Sequence, residues 1–225
     1  MFLDLLISNL HKSIYRFPEV SEYLRSRFVT DDEIRKYEIG YNKFVHIPED
    51  PGEERERMRA ECYRGRLLEN KVIFPLKNGM NKTVGILGRA IKTKEFKKFV
   101  LEETKLSGFF FGLSQALPHI YKENKVFVVE GPIDLFALIK VFPNTVATLI
   151  SGLSETQYDF LKMYCDTIVA VFDSDAAGRR GRDSALVHKG VVLMDLKSHN
   201  DPAKCLETLK LPAFKKFILQ RSPLF

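Results

Sequence analysis

The pattern of apolar and polar residues changes character near the middle of the chain. From Lys125 onward, short continuous apolar runs alternate with segments that have helical periodicity. We predict that four of these runs are strands: KVFVVE, VATLIS, TIVAVFD and VVLMDL. Continuous apolar strands that alternate with amphipathic helices are typical of a parallel sheet covered on both faces. The second half is therefore predicted to be an α/β domain.

Three helices are predicted between these strands. One begins with Pro132, at a first-turn position where the missing N–H costs nothing. The next begins after Ser154, and Gln157 stands three residues later in a capping-box arrangement. The third runs from about Ala176 to His188.

The first half has a mixed pattern. Near the N-terminus five apolar residues share one helical face: Leu3, Leu6, Ile7, Leu10 and Ile14. Asp4 interrupts this apolar run and no basic segment precedes it, which favours an amphipathic core helix over a signal peptide. Thr30 and Asp31 then stand where a helix cap belongs, and Gly40 is predicted to end that helix.

A hairpin is predicted after a Pro- and charge-rich segment at residues 46–61, which we interpret as a loop leading to a solvated helix. The strand-like runs KVIFPLK and KTVGILGRAI flank residues 78–81, whose Asn-Gly pair is a turn signal. The apolar stretch FKKFVLEE is predicted to add a strand.

Positive charge is concentrated in this hairpin region. The chain has a net charge of +6, and residues 77–98 alone hold seven basic residues and one acidic residue. The strip from Lys77 to Lys98 thus accounts for the whole imbalance. A basic strip beside apolar strands attracts a polyanion such as nucleic acid, although a solvated basic surface gives the same composition.

Cysteine spacing and hydropathy limit the class of protein. Cys62, Cys165 and Cys205 are far apart and form no CxxC pair, so we expect no zinc site within this chain and no disulfide framework. Reduced thiols indicate a cytoplasmic location. No segment approaches the ~20 apolar residues of a membrane span, so a membrane partner is not expected.

Acidic residues follow three of the four predicted strands of the second half. Glu130 ends the first, Asp173 and Asp175 end the third, and Asp201 follows the fourth. Each alone is more typical of a turn or a helix cap. Together, at the edge where parallel strands end, four carboxylates repel one another strongly unless a cation holds them or some of them stay protonated. Oxygen ligands suit Mg²⁺ or Mn²⁺, which indicates phosphoryl or nucleotidyl transfer.

Two motifs of the second half resemble those of a known domain. VFVVEGPIDLFAL resembles the glutamate motif of the Toprim domain, and VAVFDSDAAGRRG resembles its DxD motif. Upstream, three stretches are similar to successive segments of the polymerase core of DnaG-type primases. They are SEYLRSRFVTDDEIRKYEIGY, KVIFPLKNGMNKTVGILGRAI and EFKKFVLEET. The resemblance spans roughly residues 20–205.

The resemblance implies an α/β fold in three parts. A mixed α+β basic subdomain (residues 1–122) would precede a Toprim parallel sheet flanked by helices (residues 123–205). A C-terminal helical tail (residues 206–225) would follow, for which a docking peptide is the alternative. The family's N-terminal zinc-binding domain has no counterpart here, so a minimal polymerase core is expected.

The resemblance also implies roles for individual residues. The catalytic residues would be Glu130, Asp173 and Asp175. The ligands of Mg²⁺ or Mn²⁺ would be Glu130, Asp173, Asp175 and Asp201, although the resemblance also allows Glu130 to act as a general acid/base instead. The contacts to nucleotide and template phosphates would be Lys71, Arg89, Lys98 and Arg179, although Arg179 also fits a basic helix start. Asp134 would support the site, and Ala203 stands where the family often has a further Asp.

The implied activity is that of a DNA primase. Such an enzyme makes short RNA primers on single-stranded DNA from ribonucleoside triphosphates, by metal-dependent nucleotidyl transfer. A replicative helicase and a separate zinc-binding subunit are further partners that the resemblance allows. Two other functions stay open: a Toprim-family nuclease, and a non-catalytic nucleic-acid- or replisome-binding module with a degenerate site.

Overall fold

The chain divides into two compact units. The first unit consists of Met1–Ser26, Thr30–Pro75 and Thr83–Leu101. The second unit consists of Arg27–Val29, Leu76–Lys82 and Glu102–Phe225. The structure, a computed structural model, describes residues 2–43, 68–78, 80–91, 96–100, 108–174, 176–197 and 199–222. The predicted loop and helix at residues 46–61 lie outside these ranges. The predicted domain limits at residues 122 and 205 stay a prediction.

Three helices precede the first sheet in the described residues: α1 (Phe2–Ile14), α2 (Pro18–Ser26) and α3 (Asp31–Lys36). The amphipathic α1 confirms the prediction, because Ile7 and Ile14 are buried. His11 Nδ1 donates a hydrogen bond to the carbonyl oxygen of Ile39 at 2.8 Å, which holds α1 against the chain that enters the sheet.

The predicted start of α3 is confirmed and its predicted end is wrong. Thr30 caps the helix reciprocally with Glu33, whose N–H donates to Thr30 Oγ1 at 3.2 Å. The helix ends at Lys36, and Gly40 instead begins a strand. A Cβ on Gly40 would lie 2.6 Å from the carbonyl carbon of Leu10, so glycine is needed here for a close approach to α1.

The sheet of the first unit has four strands in the order β1-β2-β3-β4: β1 (Gly40–Asn42), β2 (Lys71–Lys77), β3 (Thr83–Ala90) and β4 (Phe96–Val100). The pairs β1–β2 and β3–β4 are antiparallel. The neighbours β2 and β3 are joined by residues 78–82, as the predicted hairpin requires, and β4 is the predicted further strand. Ile73 and Ile86 pack with Ile7 of α1 into one apolar cluster.

The sheet of the second unit is parallel, as predicted. Its strands lie in the order β6-β5-β7-β8: β5 (Lys125–Val129), β6 (Thr145–Ala147), β7 (Thr167–Ala170) and β8 (Val191–Leu193). Each strand is shorter than the apolar run predicted for it. The last residues of each run lie beyond the last paired residues of the strand, at the carboxyl end of the sheet.

The helices described in the second unit are α4 (Leu113–Glu123), α5 (Pro132–Leu138), α6 (Glu155–Lys162), α7 (Ala176–Leu186) and α8 (Pro202–Leu219). The capping box of Ser154 and Gln157 opens α6 as predicted. The predicted C-terminal helix is also present, although α8 is interrupted at Lys210 (φ 60°, ψ 163°).

Helices and loops cover both faces of the parallel sheet. On one face Val126 and Val128 belong to a buried cluster with residues of α4, α6 and α7. On the other face the ring of Phe127 stacks on Phe142, with 3.9 Å between centroids. This double burial explains the continuous apolar runs and confirms the predicted fold class. Across the described ranges, every helix is too short or too polar to cross a membrane.

Candidate active site

The parallel sheet has a switch point between β5 and β7. The chain leaves β5 for β6 on one side and leaves β7 for β8 on the other side. In open α/β sheets ligands bind at such a point, outside the carboxyl ends of the strands. Glu130 follows β5 directly, and Asp173 lies three residues beyond the end of β7. Both predicted catalytic residues therefore lie at the switch point.

Backbone hydrogen bonds hold these two strand ends. The N–H of Val171 donates to the carbonyl oxygen of Val128 at 2.8 Å, and the carbonyl oxygen of Glu130 accepts from Leu149 at 3.0 Å. Glu130 and Asp173 are half-buried residues, and one carboxylate oxygen of each (Oε1 and Oδ1) is buried. Two acidic groups thus leave neighbouring strands at the same edge, each partly withdrawn from water.

Asp201 lies next to the segment that carries Asp173. The N–H of Ser174 donates to the carbonyl oxygen of Asn200 at 2.8 Å, and Ser174 Oγ donates to Asn200 Oδ1 at 3.2 Å. The side chain of Asp201 caps α8 by accepting from the N–H of Lys204 at 2.5 Å. The structure thus brings the two acidic segments together, and it also gives Asp201 the helix-cap role that an isolated aspartate usually has.

Asp134 connects α5 with the start of α8. It lies in the first turn of α5, and its Oδ1 accepts a hydrogen bond from the N–H of Ala203 at 3.3 Å. Ala203 is the position where the family often has a second aspartate. Asp134 and Asp201 therefore both accept from N–H groups in the first turn of α8, where anionic groups are favoured.

The helix that follows Asp173 packs unusually close to it. A Cβ on Gly178 of α7 would lie 2.1 Å from the carbonyl oxygen of Asp173. The predicted phosphate contact Arg179 is exposed, and its Nη1 donates to the carbonyl oxygen of Ser174 at 2.7 Å. Arg182 Nη2 donates to the carbonyl oxygen of Phe172 at 2.9 Å. The sequence did not reveal the close packing of Gly178 or the backbone hydrogen bond of Arg182, which lie in and directly after the motif VAVFDSDAAGRRG.

The predicted metal site is only partly described. Asp175 lies outside the described residues, and within the described part no three His, Cys, Asp or Glu side chains are placed to hold a metal ion. The donor chemistry of the remaining set fits Mg²⁺ or Mn²⁺, because Mg²⁺ keeps several waters and is commonly held by one or two carboxylates. The ligand set stays a prediction.

The predicted basic contacts other than Arg179 belong to the first unit. Lys71 is the first residue of β2 and lies alongside Gly88 of β3, so the backbone directs it to the face opposite that of Arg89. Arg89 is 9% exposed. Lys98 pairs with Leu87 in the ladder, and its side chain lies outside the described part. Their roles stay predictions.

The two cysteines that the structure describes, Cys165 and Cys205, are buried. Burial raises the pKa of each thiol to about 11, so both are largely protonated at neutral pH. Cys62 lies outside the described residues. The prediction that this chain holds no zinc stays a prediction.

Comparison with known proteins relates this chain to DNA primases. Residues 127–206 match the family described as Toprim-like. The DNA primase of Helicobacter pylori strain J99 is 26% identical over 238 residues, which cover 96% of this chain and 42% of the relative. The DNA primase of Rickettsia conorii is 30% identical over 179 residues, 72% of this chain and 30% of the relative. The chain is thus similar to DNA primases over most of its length.

Solved primase structures show the same fold. A DnaG primase catalytic domain bound to single-stranded DNA superposes with a TM-score of 0.80 at 20% identity, over 98% of this chain and 80% of that one. The zinc-binding and RNA polymerase domains of Aquifex aeolicus primase give 0.79 at 23% identity, over 98% and 60%. The predicted resemblance to DnaG-type primases is confirmed. This chain spans about two fifths of the length of the Helicobacter primase.

Proposed function

We propose that this chain is the catalytic core of a DNA primase, which joins ribonucleotides on a single-stranded DNA template. The observation that carries the proposal is the placement of Glu130 and Asp173 at the switch point of a Toprim-like sheet. Acidic groups there suit a divalent cation, and a cation suits the transfer of a nucleotidyl group. Similarity to DNA primases supports the direction of the reaction, synthesis rather than cleavage.

In this proposal Glu130, Asp173, Asp175 and Asp201 hold Mg²⁺ or Mn²⁺. The cation supplies positive charge that activates a 3′-hydroxyl group and offsets the charge of the departing pyrophosphate. Glu130 and Asp173 have carboxylate oxygens withdrawn from water, which strengthens their attraction for a cation. Asp134 supports the site by holding the N–H of Ala203, and with it the start of α8 beside Asp173.

Basic residues would bind the phosphates. We propose that Lys71, Arg89, Lys98 and Arg179 contact the ribonucleoside triphosphates or the template. The strip of residues 77–98 would attract the template through its phosphates, so binding should weaken as salt rises. The proposed parts are residues 1–122, the Toprim domain at 123–205 and the tail at 206–225, acting in the cytoplasm. A replicative helicase or a separate zinc-binding subunit would complete the system.

An incorporation assay separates the proposed function from its alternatives. The protein is incubated with a single-stranded DNA template, Mn²⁺ and labelled ribonucleoside triphosphates, and the products are sized on a denaturing gel. Labelled oligoribonucleotides support the primase. A shortened template supports a Toprim nuclease instead. Intact template without labelled product, together with no Mn²⁺ binding by calorimetry, supports a non-catalytic binding module.

The two roles of Asp201 can be separated by substitution. Asparagine caps helices about as well as aspartate, so D201N keeps the cap of α8 while it removes the negative charge. We expect D201N to lose incorporation at a nearly unchanged melting temperature, and D201A to lose about 1 kcal/mol of stability as well. Full incorporation by D201N would assign Asp201 to capping alone.

A further inference from the structure

Two arginines of α7 hold the backbone on both sides of Asp173. Arg182 Nη2 donates to the carbonyl oxygen of Phe172 at 2.9 Å, and Arg179 Nη1 donates to that of Ser174 at 2.7 Å. Phe172 and Ser174 are the immediate neighbours of Asp173. The two arginines are three residues apart, so they project from the same side of the helix.

The residues around Asp173 need such support because they lie beyond the end of the strand. The strand β7 ends at Ala170, and the chain from Val171 to Ser174 is not in a strand. A charged donor forms a stronger hydrogen bond to a carbonyl than a neutral donor does. Arg182 is half-buried whereas Arg179 is exposed, so water competes less with the bond of Arg182. Arg182 is therefore the firmer of the two supports.

Close packing of α7 makes this contact possible. A Cβ on Gly181 would lie 2.8 Å from the backbone nitrogen of Gly152, and one on Gly178 would lie 2.1 Å from the carbonyl oxygen of Asp173. Two glycines one turn apart thus let the helix lie against the edge of the sheet. Arg182 reaches back from this helix to the strand end and brings a positive charge to an edge that carries several carboxylates.

We propose that Arg182 is a positioning residue that fixes the carbonyl before Asp173, and thereby directs the Asp173 carboxylate toward a divalent cation. The inference rests on the proposed function and adds a residue outside the acidic motifs. In this proposal Arg182 acts through the carbonyl group of Phe172 and not by contact with the cation.

The test measures Mn²⁺ binding directly. Free Mn²⁺ is quantified by electron paramagnetic resonance in titrations of the wild-type chain, R182Q, R182K and the control R180Q, which removes an exposed charge from the same helix. Loss of a group that orients a metal ligand typically weakens metal affinity ~10–100-fold. We expect that loss for R182Q and wild-type binding for R180Q. We expect an intermediate loss for R182K, because lysine is a point charge without the planar guanidinium geometry.

Thermal unfolding and steady-state kinetics accompany each titration. The expected kinetic result is a lower kcat for R182Q with a nearly unchanged KM for the template. If the wild-type chain binds no Mn²⁺, the proposed function and this inference both fail. If the wild-type chain binds Mn²⁺ and R182Q binds it equally well, only the role of Arg182 is overturned. If R182Q does not fold, the R182K variant decides between the outcomes. An R182K variant that binds Mn²⁺ with wild-type affinity but melts at a lower temperature would show that Arg182 has only a structural role.

Discussion

A single methyl group added at Gly178 probes the packing of α7 against Asp173. The Cβ of G178A would lie 2.1 Å from the carbonyl oxygen of Asp173 and 2.6 Å from its carbonyl carbon. Both are backbone atoms, which no rotamer change can move away. To restore an ordinary contact of 3.4 Å, the helix and the strand end must separate by about 1.3 Å.

Two opposing contributions set the stability of G178A. Alanine in place of glycine inside a helix gains ~1 kcal/mol from propensity. Overpacking of a close contact costs ~1–3 kcal/mol, and the upper end applies because only backbone can yield. We expect a net loss of ~2 kcal/mol, which lowers the melting temperature by ~4–8 °C in a chain of this size. A displacement near 1 Å at catalytic groups costs ~100-fold in rate.

Calorimetric unfolding and the incorporation assay measure these effects, and D183A serves as the control. Asp183 is exposed on the same helix, so D183A changes helix propensity without a close contact. We expect D183A to be at least as stable as the wild-type chain and equally active. A G178A variant that melts at or above the wild-type temperature with full activity would refute the proposed packing of α7 on the strand end.

Two further substitutions test backbone geometry elsewhere. G40A should destabilise the first unit by ~1–3 kcal/mol in urea unfolding, because its Cβ would lie 2.6 Å from the carbonyl carbon of Leu10. K210G should raise stability by ~1 kcal/mol or more, because Lys210 has φ 60° and ψ 163°, a conformation that costs a non-glycine residue ~1–3 kcal/mol.

Each of these predictions has its own contrary outcome. Unchanged unfolding of G40A would mean that α1 does not approach β1 as closely as described. For K210G the control is K215G, which places glycine at an exposed position inside the helix. Because glycine is a poor helix former, K215G should lower the free energy of unfolding by ~1 kcal/mol. Equal losses in K210G and K215G would show that Lys210 carries no strain.

The sequence predicted most where local rules and burial agree. The four apolar runs after Lys125 became the four parallel strands, because a sheet covered on both faces needs apolar residues at every position. The capping boxes at Thr30 and Ser154 were visible because their partners stand three residues away. These signals are local, and no tertiary contact overrides them.

Tertiary contacts account for what the sequence did not show. Gly40 was interpreted as a helix stop, but its small size serves a close approach to α1, thirty residues earlier in the chain. The hydrogen bond from Arg182 to the carbonyl oxygen of Phe172 was not predicted, because it depends on how closely α7 packs. The order of strands, and hence the switch point between β5 and β7, also emerged only from the structure.

The central claim is that the carboxylates at the switch point perform nucleotidyl transfer, and D173N tests it most directly. The variant is compared with the wild-type chain and with D166N, which changes an exposed aspartate just before the same strand, at the opposite edge of the sheet. With template, Mn²⁺ and labelled ribonucleotides, we predict labelled oligoribonucleotides from the wild-type chain and D166N, and at least ~100-fold less from D173N at an unchanged melting temperature. Wild-type incorporation by folded D173N would contradict the account.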